Sequence, residues 1–160
     1  SIMDSLSCYI HEHELEKVKG FDNFFECGET PEIEQLLFIK GKKVPLYKLK
    51  RLCGTVLDKD KNKKTVPLLT KDGVVIVKIY GVFAQYDKQL SERGADGKKH
   101  VIQKSLFSRG NKIIVTGVRF GDSFVTKTYS KTPYHKVELI LDVDENGVLT
   151  IQHERPEVAA

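Results

Sequence analysis

Thr65-Val66-Pro67-Leu68-Leu69-Thr70-Lys71-Asp72-Gly73-Val74-Val75-Ile76-Val77-Lys78-Ile79-Tyr80 is the stretch that decides the fold. Side chains alternate with period two on both sides of Lys71-Asp72-Gly73, and Asp-Gly is hairpin-turn chemistry. Two antiparallel strands joined by a tight turn follow, with Pro67 expected at an edge or a bulge because it has no N–H to give. Upstream, Leu46 to Leu57 reads as a long strand in which Gly54 marks a bulge or a close backbone approach. The polar run Asp58 to Lys64 is the loop between them. Downstream, Val82, Phe83, Tyr86 and Leu90 recur at three- and four-residue steps, the pattern of a short helix. A loop at Gly94 to Lys99 follows, then strands at Ile113–Val118 and Phe124–Tyr129 joined by Phe120-Gly121-Asp122-Ser123. Val137–Val143 and Gly147–Gln152 form a closing hairpin.

Three strands, a helix and two strands is the order of a mainly β, five-stranded OB-fold Greek-key barrel with one helix between its third and fourth strands. Closure of the sheet removes its edges. The chain divides into a helical or irregular connector at 1–45, an OB-fold nucleic-acid-binding domain at 46–143, and a C-terminal hairpin and tail at 144–160. In the connector, Asp4 is placed to cap a helix carrying Leu6, Tyr9 and Ile10. Phe21, Phe24 and Phe25 need a surface to pack on, and Ile33, Leu36 and Leu37 share one helical face.

With 160 residues and 40% of them hydrophobic, the chain is long enough for one domain with a true core, and its composition excludes a disordered tail or a disulfide-stapled miniprotein. Three widely spaced cysteines (Cys8, Cys27, Cys53) read as free thiols of a reducing compartment. Neither a membrane span nor a secretory signal is expected, so the reading is a soluble, cytoplasmic protein.

Charge is distributed unevenly. Residues 1–38 hold two lysines against nine acids, whereas residues 40–136 hold 23 Lys and Arg against seven acids. The bland explanation is a lysine-rich surface; the sharper one is a polyanionic partner for the middle of the chain. An OB barrel favours the second. Its open face beside the second and third strands suits single-stranded nucleic acid, where aromatics stack on bases and lysines track phosphates. The candidate contacts are Arg51 on the first strand, Lys59, Lys61, Lys63 and Lys64 on the first loop, Lys78 and Tyr80 on the third strand, and Arg119 and Lys127 on the last two. Tyr80 is the stacking candidate, with a rim or core position as its competing explanation. Phe83 and Tyr86 read instead as the helix face that plugs the barrel.

Other motifs carry little. His11-Glu12-His13-Glu14 has no third metal ligand at a recognised spacing, and histidines two apart diverge on a helix. No phosphate-binding glycine loop or nucleophile elbow is present, and the acids of the basic middle sit in turns. No catalytic residue, metal or cofactor is therefore expected. Gln103-Lys104-Ser105-Leu106-Phe107 is similar to short peptides that dock on sliding clamps, although Leu106 and Phe107 serve equally as core anchors.

Asp4-Ser5-Leu6-Ser7-Cys8-Tyr9-Ile10-His11-Glu12-His13-Glu14-Leu15 resembles the "E-x-L-G-x-Y-x-x-x-H-P-L" segment of bacterial C-family replicative polymerases, the alpha subunit of DNA polymerase III. Leu6, Tyr9, His13 and Leu15 match; Asp4, Ser7 and Glu14 depart from the pattern. Leu49 to Val56 is similar to the family's "I-x-x-x-G-x-V" barrel opening, Val77 to Tyr80 to its third-strand ending, and Arg109 to Gly117 to its fourth strand. The resemblance implies a non-catalytic piece of a much larger polymerase whose OB fold contacts single-stranded template DNA, through Lys59 to Lys64 and the face bearing Lys78. It implies the rest of the polymerase chain as a partner, with a sliding clamp or other replisome proteins beside it, and no membrane. An anticodon-type RNA-binding OB domain and a protein-interaction module of the replisome are the alternatives.

Overall fold

The computed structural model describes residues 18, 20–26, 28–152 and 155. The capping and His-x-His readings at residues 4–15 lie outside them, as do Cys8 and Cys27. In chain order the elements are a 3-10 turn (Phe24–Glu26), β1 (Ile33–Ile39), β2 (Lys42–Tyr47), β3 (Lys50–Val56), β4 (Thr65–Thr70), β5 (Gly73–Lys78), α1 (Phe83–Asp87), β6 (Leu90–Arg93), β7 (Lys99–Gln103), β8 (Lys112–Phe120), β9 (Ser123–Thr126), β10 (Val137–Val143) and β11 (Leu149–Gln152). None of the described helices is long and apolar enough to cross a membrane.

Five strands close on themselves. β3 pairs with β4, β4 with β5, β5 in parallel with β9, β9 with β8, and β8 with β3. With α1 between the third and fourth of them, this is the OB arrangement that the element order predicts. Alternation does the sorting. Val66, Leu68, Val75 and Val77 point inward and are at most 1% exposed, whereas Val74 and Ile76 between them are 51% and 39% exposed. Each fully buried aliphatic side chain stabilises the barrel by about 1.5–3 kcal/mol before the entropy of ordering it is counted. Pro67 fits because the β3–β4 register ends at Val56↔Leu68, one residue short of it. Its carbonyl accepts from the Leu57 N–H (3.0 Å), so its own nitrogen faces the same side, past the end of that ladder.

Two glycines mark where strands crowd. A Cβ on Gly54 would lie 2.6 Å from the Leu69 carbonyl oxygen, the close approach expected there. A Cβ on Gly117 would lie 2.0 Å from the Val125 carbonyl oxygen, because β8 runs here between β3 and the start of the tight β8–β9 pair.

The barrel has two ends. At one, α1 inserts Phe83 and Tyr86 against the buried Phe107, with ring centroids 4.9 and 6.4 Å from it. Leu106 and Phe107 are 2% and 1% exposed, so the side chains that would anchor a clamp-docking peptide lie inside the core. At the other end Phe24 enters the same core. A second, smaller core on the outer face joins Val18, Ile114 and Ile140, with Phe21, Cys53 and Ile151 packed against it. Burial there pushes the Cys53 thiol up to about 11, against the pull of Lys71 and Arg51.

Three sequence expectations change. Ile33, Leu36 and Leu37 belong to strand β1, paired with β2, and not to a helical face. The pair Lys40 (φ 51°) and Gly41 (φ 76°) supplies the two positive φ angles of a type I′ hairpin turn. The long first strand is interrupted at 48–49, so Leu46 and Tyr47 end β2 while the barrel begins at Lys50. The helix stops at Asp87, because Lys88 is already extended (φ −62°, ψ 129°), and Leu90 starts a second hairpin, β6–β7, whose turn is the loop expected from Gly94 onward. The closing hairpin forms as expected, from β10 and β11.

Candidate nucleic-acid interface

Strand direction sets the geography. The end of β3, the start of β4, the end of β5 and the start of β8 meet at the pole that α1 covers. The loop at 57–64, Tyr80 and the base of the β6–β7 hairpin therefore share that pole. It is cationic: Lys59, Lys61, Lys63 and Lys64 face only Asp58 and Asp60 on their loop, and Lys88, Lys104 and Arg109 flank the helix and hairpin. The opposite pole carries Glu26, Glu29, Asp72 and Asp122.

The lysine loop is a built structure. The Asp60 carboxylate accepts the backbone N–H groups of Asn62 and Lys63, both at 3.0 Å, and Lys64 takes a left-handed conformation (φ 58°) to bring the chain into β4. Asp87 on α1 holds the loop from below. It accepts from Lys59 Nζ (2.6 Å) and Ser105 Oγ (2.7 Å), with Lys61 Nζ at 3.8 Å. Burial alone would raise the Asp87 carboxyl, but the Lys59 and Ser105 hydrogen bonds and the two lysine charges hold it below its usual range. Lys59 is thus tethered, while the Lys61 side chain is 70% exposed.

The nine residues singled out from the sequence separate into three groups. Lys59, Lys61, Lys63, Lys64, Lys78 and Tyr80 come together at the α1 pole. The Ile79 N–H donates to the Lys64 carbonyl (2.9 Å), Lys78 pairs with Thr65, and Tyr80 is 52% exposed beside them. Arg119 lies at the opposite pole, where Nε donates to the Gly121 carbonyl (2.7 Å) and Nη1 to the Phe24 carbonyl (2.9 Å). It fastens the N-terminal turn. Arg51 and Lys127 lie along the β3–β8 side. Arg51 Nη2 donates to the fully buried Glu138 at 3.1 Å, and its guanidinium stacks on Tyr134 at 3.7 Å. Lys127 Nζ sits over the Tyr129 ring at 5.6 Å.

The outer face of β4 and β5 is less aromatic than the sequence suggests. Val74 and Ile76 are exposed there, and Lys78 and Tyr80 stand only at its α1 end. The aromatics are elsewhere. Residues 127–136 form a loop whose two ends meet on one residue: the Lys127 N–H donates to the Thr116 carbonyl (2.9 Å) and the Thr116 N–H to the Lys136 carbonyl (3.1 Å). Between this loop, the end of β2 and the start of β3 lies an open groove of about 530 Å³ that includes Tyr47, Tyr129 and Tyr134. The signal for it stands in the sequence as Lys127, Tyr129, Lys131, Tyr134 and Lys136, cations interleaved with aromatics.

No group of His, Cys, Asp and Glu among the described residues is arranged to hold a metal ion. No family model and no solved structure matches the chain. Two proteins do. One is a probable DNA polymerase, YorL, of Bacillus subtilis (strain 168), and the other a DNA-directed DNA polymerase of Bacillus phage SPbeta. Each is 38% identical to this chain over 162 aligned residues. The chain spans 12% of the length of these curated relatives. Along 98% of its own length, the barrel and its appendages are thus similar to one segment of proteins named as DNA polymerases.

Proposed function

We propose that this chain is a non-catalytic OB module of a DNA-directed DNA polymerase of the C-family type, and that it binds single-stranded template DNA at its α1 pole. The observation that carries the reading is the convergence of Lys63, Lys64, Lys78 and Tyr80 beside the Asp87-tethered loop. Phosphates need only positive charge at a suitable distance, which long lysine side chains provide without reading sequence. An exposed tyrosine beside them supplies a stacking surface worth about 1–3 kcal/mol per base. The similarity to named polymerases supports DNA over tRNA as the partner.

The β1–β2 hairpin favours one further contact. Ile33, Leu36, Phe38 and Ile39 are each about half exposed or more, Phe38 at 73%, which suits packing on the remainder of a larger polymerase chain.

Titration with oligo-dT across a range of salt concentrations tests the reading. Affinity is expected to fall with salt by about 0.7 log units per log unit for each phosphate contacted. A variant with Lys59, Lys61, Lys63 and Lys64 all changed to Glu is expected to lose the binding and the slope together. Salt-independent binding, or a tRNA transcript binding far more tightly than oligo-dT, would overturn it.

A further inference from the structure

We propose that the groove between the end of β2, the start of β3 and the loop at 127–136 holds one unpaired nucleotide, its base stacked on the outer face of Tyr134. This rests on the reading of the chain as a binder of unpaired strands and adds a second place on it, away from the lysine loop.

Tyr134 is the platform. One face of its ring lies on the Arg51 guanidinium, at 3.7 Å, and the guanidinium is itself fixed by Glu138 at 3.1 Å. A ring backed by a fixed cation is rigid, and 39% of the tyrosine remains exposed. Tyr47 and Tyr129 are joined to each other by the hydrogen bond from the Tyr47 N–H to the Tyr129 phenol, so the neighbouring walls are also set before any ligand arrives. The volume, about 530 Å³, is in the range of small-ligand sites.

Electrostatics selects the ligand. Arg51, Lys48 and Lys131 all line the groove, which disfavours a cationic guest such as a methylated lysine and favours a phosphate attached to the stacked ring. Of the two acids on the rim, Asp22 is engaged, its Oδ2 accepting the Arg51 backbone N–H at 2.8 Å. The Thr116 hydroxyl beneath is fully buried and closed off from the groove, so recognition falls to the exposed Tyr134 ring and the cations at the rim. A nucleotide brings a base for the one and a phosphate for the other.

The test uses oligo-dT, free thymidine monophosphate and photo-cross-linking to an oligonucleotide carrying 5-iododeoxyuridine. Tyr134→Ala is expected to weaken oligo-dT binding about fivefold or more, with Tyr134→Phe within about twofold of the unaltered chain. Tyr134→Leu, which keeps apolar cover on Arg51, serves if the alanine variant is poorly folded. The cross-linked peptide is expected to contain Tyr134. Saturable binding of thymidine monophosphate, lost in the same variants, identifies a self-sufficient nucleotide pocket; cross-linking at Tyr134 without it identifies a stretch of strand. Unchanged oligo-dT affinity in Tyr134→Ala, with adducts only at Tyr80 or within 57–64, overturns the groove and leaves the lysine pole standing. Loss of binding in the Tyr134 variants but not in the four-lysine variant supports the groove and removes the lysine pole.

Discussion

The backbone N–H of Tyr47 donates to the phenol oxygen of Tyr129 at 2.9 Å, joining positions 82 apart in the chain. It is a tie between the β1–β2 hairpin, which is not part of the barrel, and the loop that runs from β9 to β10 and is pinned at both ends to the middle of β8. The phenol accepts here, while the Tyr129 backbone is held through Thr132, whose Oγ1 accepts its N–H at 2.8 Å.

Tyr129→Phe removes that acceptor and nothing else of bulk. The variant is expected to lose about 1 kcal/mol of stability in urea denaturation. Amide exchange is expected to speed up at Tyr47 and within 127–136, with the barrel strands unchanged. Uniformly faster exchange in all strands, or none at Tyr47, would show that the tie does not hold the hairpin.

Of the two crowded barrel glycines, Gly117 leaves less room for a methyl group than Gly54. A Cβ there meets backbone at 2.0 Å, and backbone cannot swing aside as a side-chain end does. Gly117→Ala is expected to destabilise by at least about 2 kcal/mol through overpacking. Gly121→Ala makes a useful contrast, since its Cβ would meet open space and only its positive φ (59°) resists, at about 1 kcal/mol. Equal thermal shifts for the two variants would contradict crowding at the β8–β9 crossing.

Asp87 links stability to pH in the acid range. Its carboxyl is held below the usual value in the folded chain, so the folded state binds the proton less readily than the unfolded one. The stabilisation is fully present above about pH 4 and is lost as pH falls through the lowered folded-state value. Asp87→Asn is expected to cost about 1–2 kcal/mol at pH 7, chiefly through Lys59 and Ser105, because the exposed Lys61 adds little. The gap between variant and unaltered chain is expected to narrow below pH 4. A gap that widens there would give the linkage the wrong sign.

Much of the fold was legible in the residues because its determinants are local. Period-two alternation at Val66–Leu68 and Val75–Val77, the Asp72-Gly73 turn and the spacing of Phe83 and Tyr86 each act over a few positions, and their order left one closed barrel as the way to bury them all. Ile33, Leu36 and Leu37 misled for the same reason: i, i+3, i+4 spacing also fits a two-stranded hairpin whose apolar side chains stay exposed. The lysine pole was readable as a loop composition. The use of Arg51 and Arg119 as internal fasteners was not, since Glu138 and the Phe24 carbonyl that engage them lie 87 and 95 positions away. The tyrosine groove divides between the two levels. Its cation–aromatic alternation at 127–136 is written in the chain, but whether those rings face a neighbour, the core or solvent depends on Thr116 of β8 pinching the two ends of the loop together. Short-range periodicity determined which side chains of the barrel strands must be buried. Only tertiary structure, by joining distant backbone groups, decided which charged and aromatic side chains stayed available to a ligand.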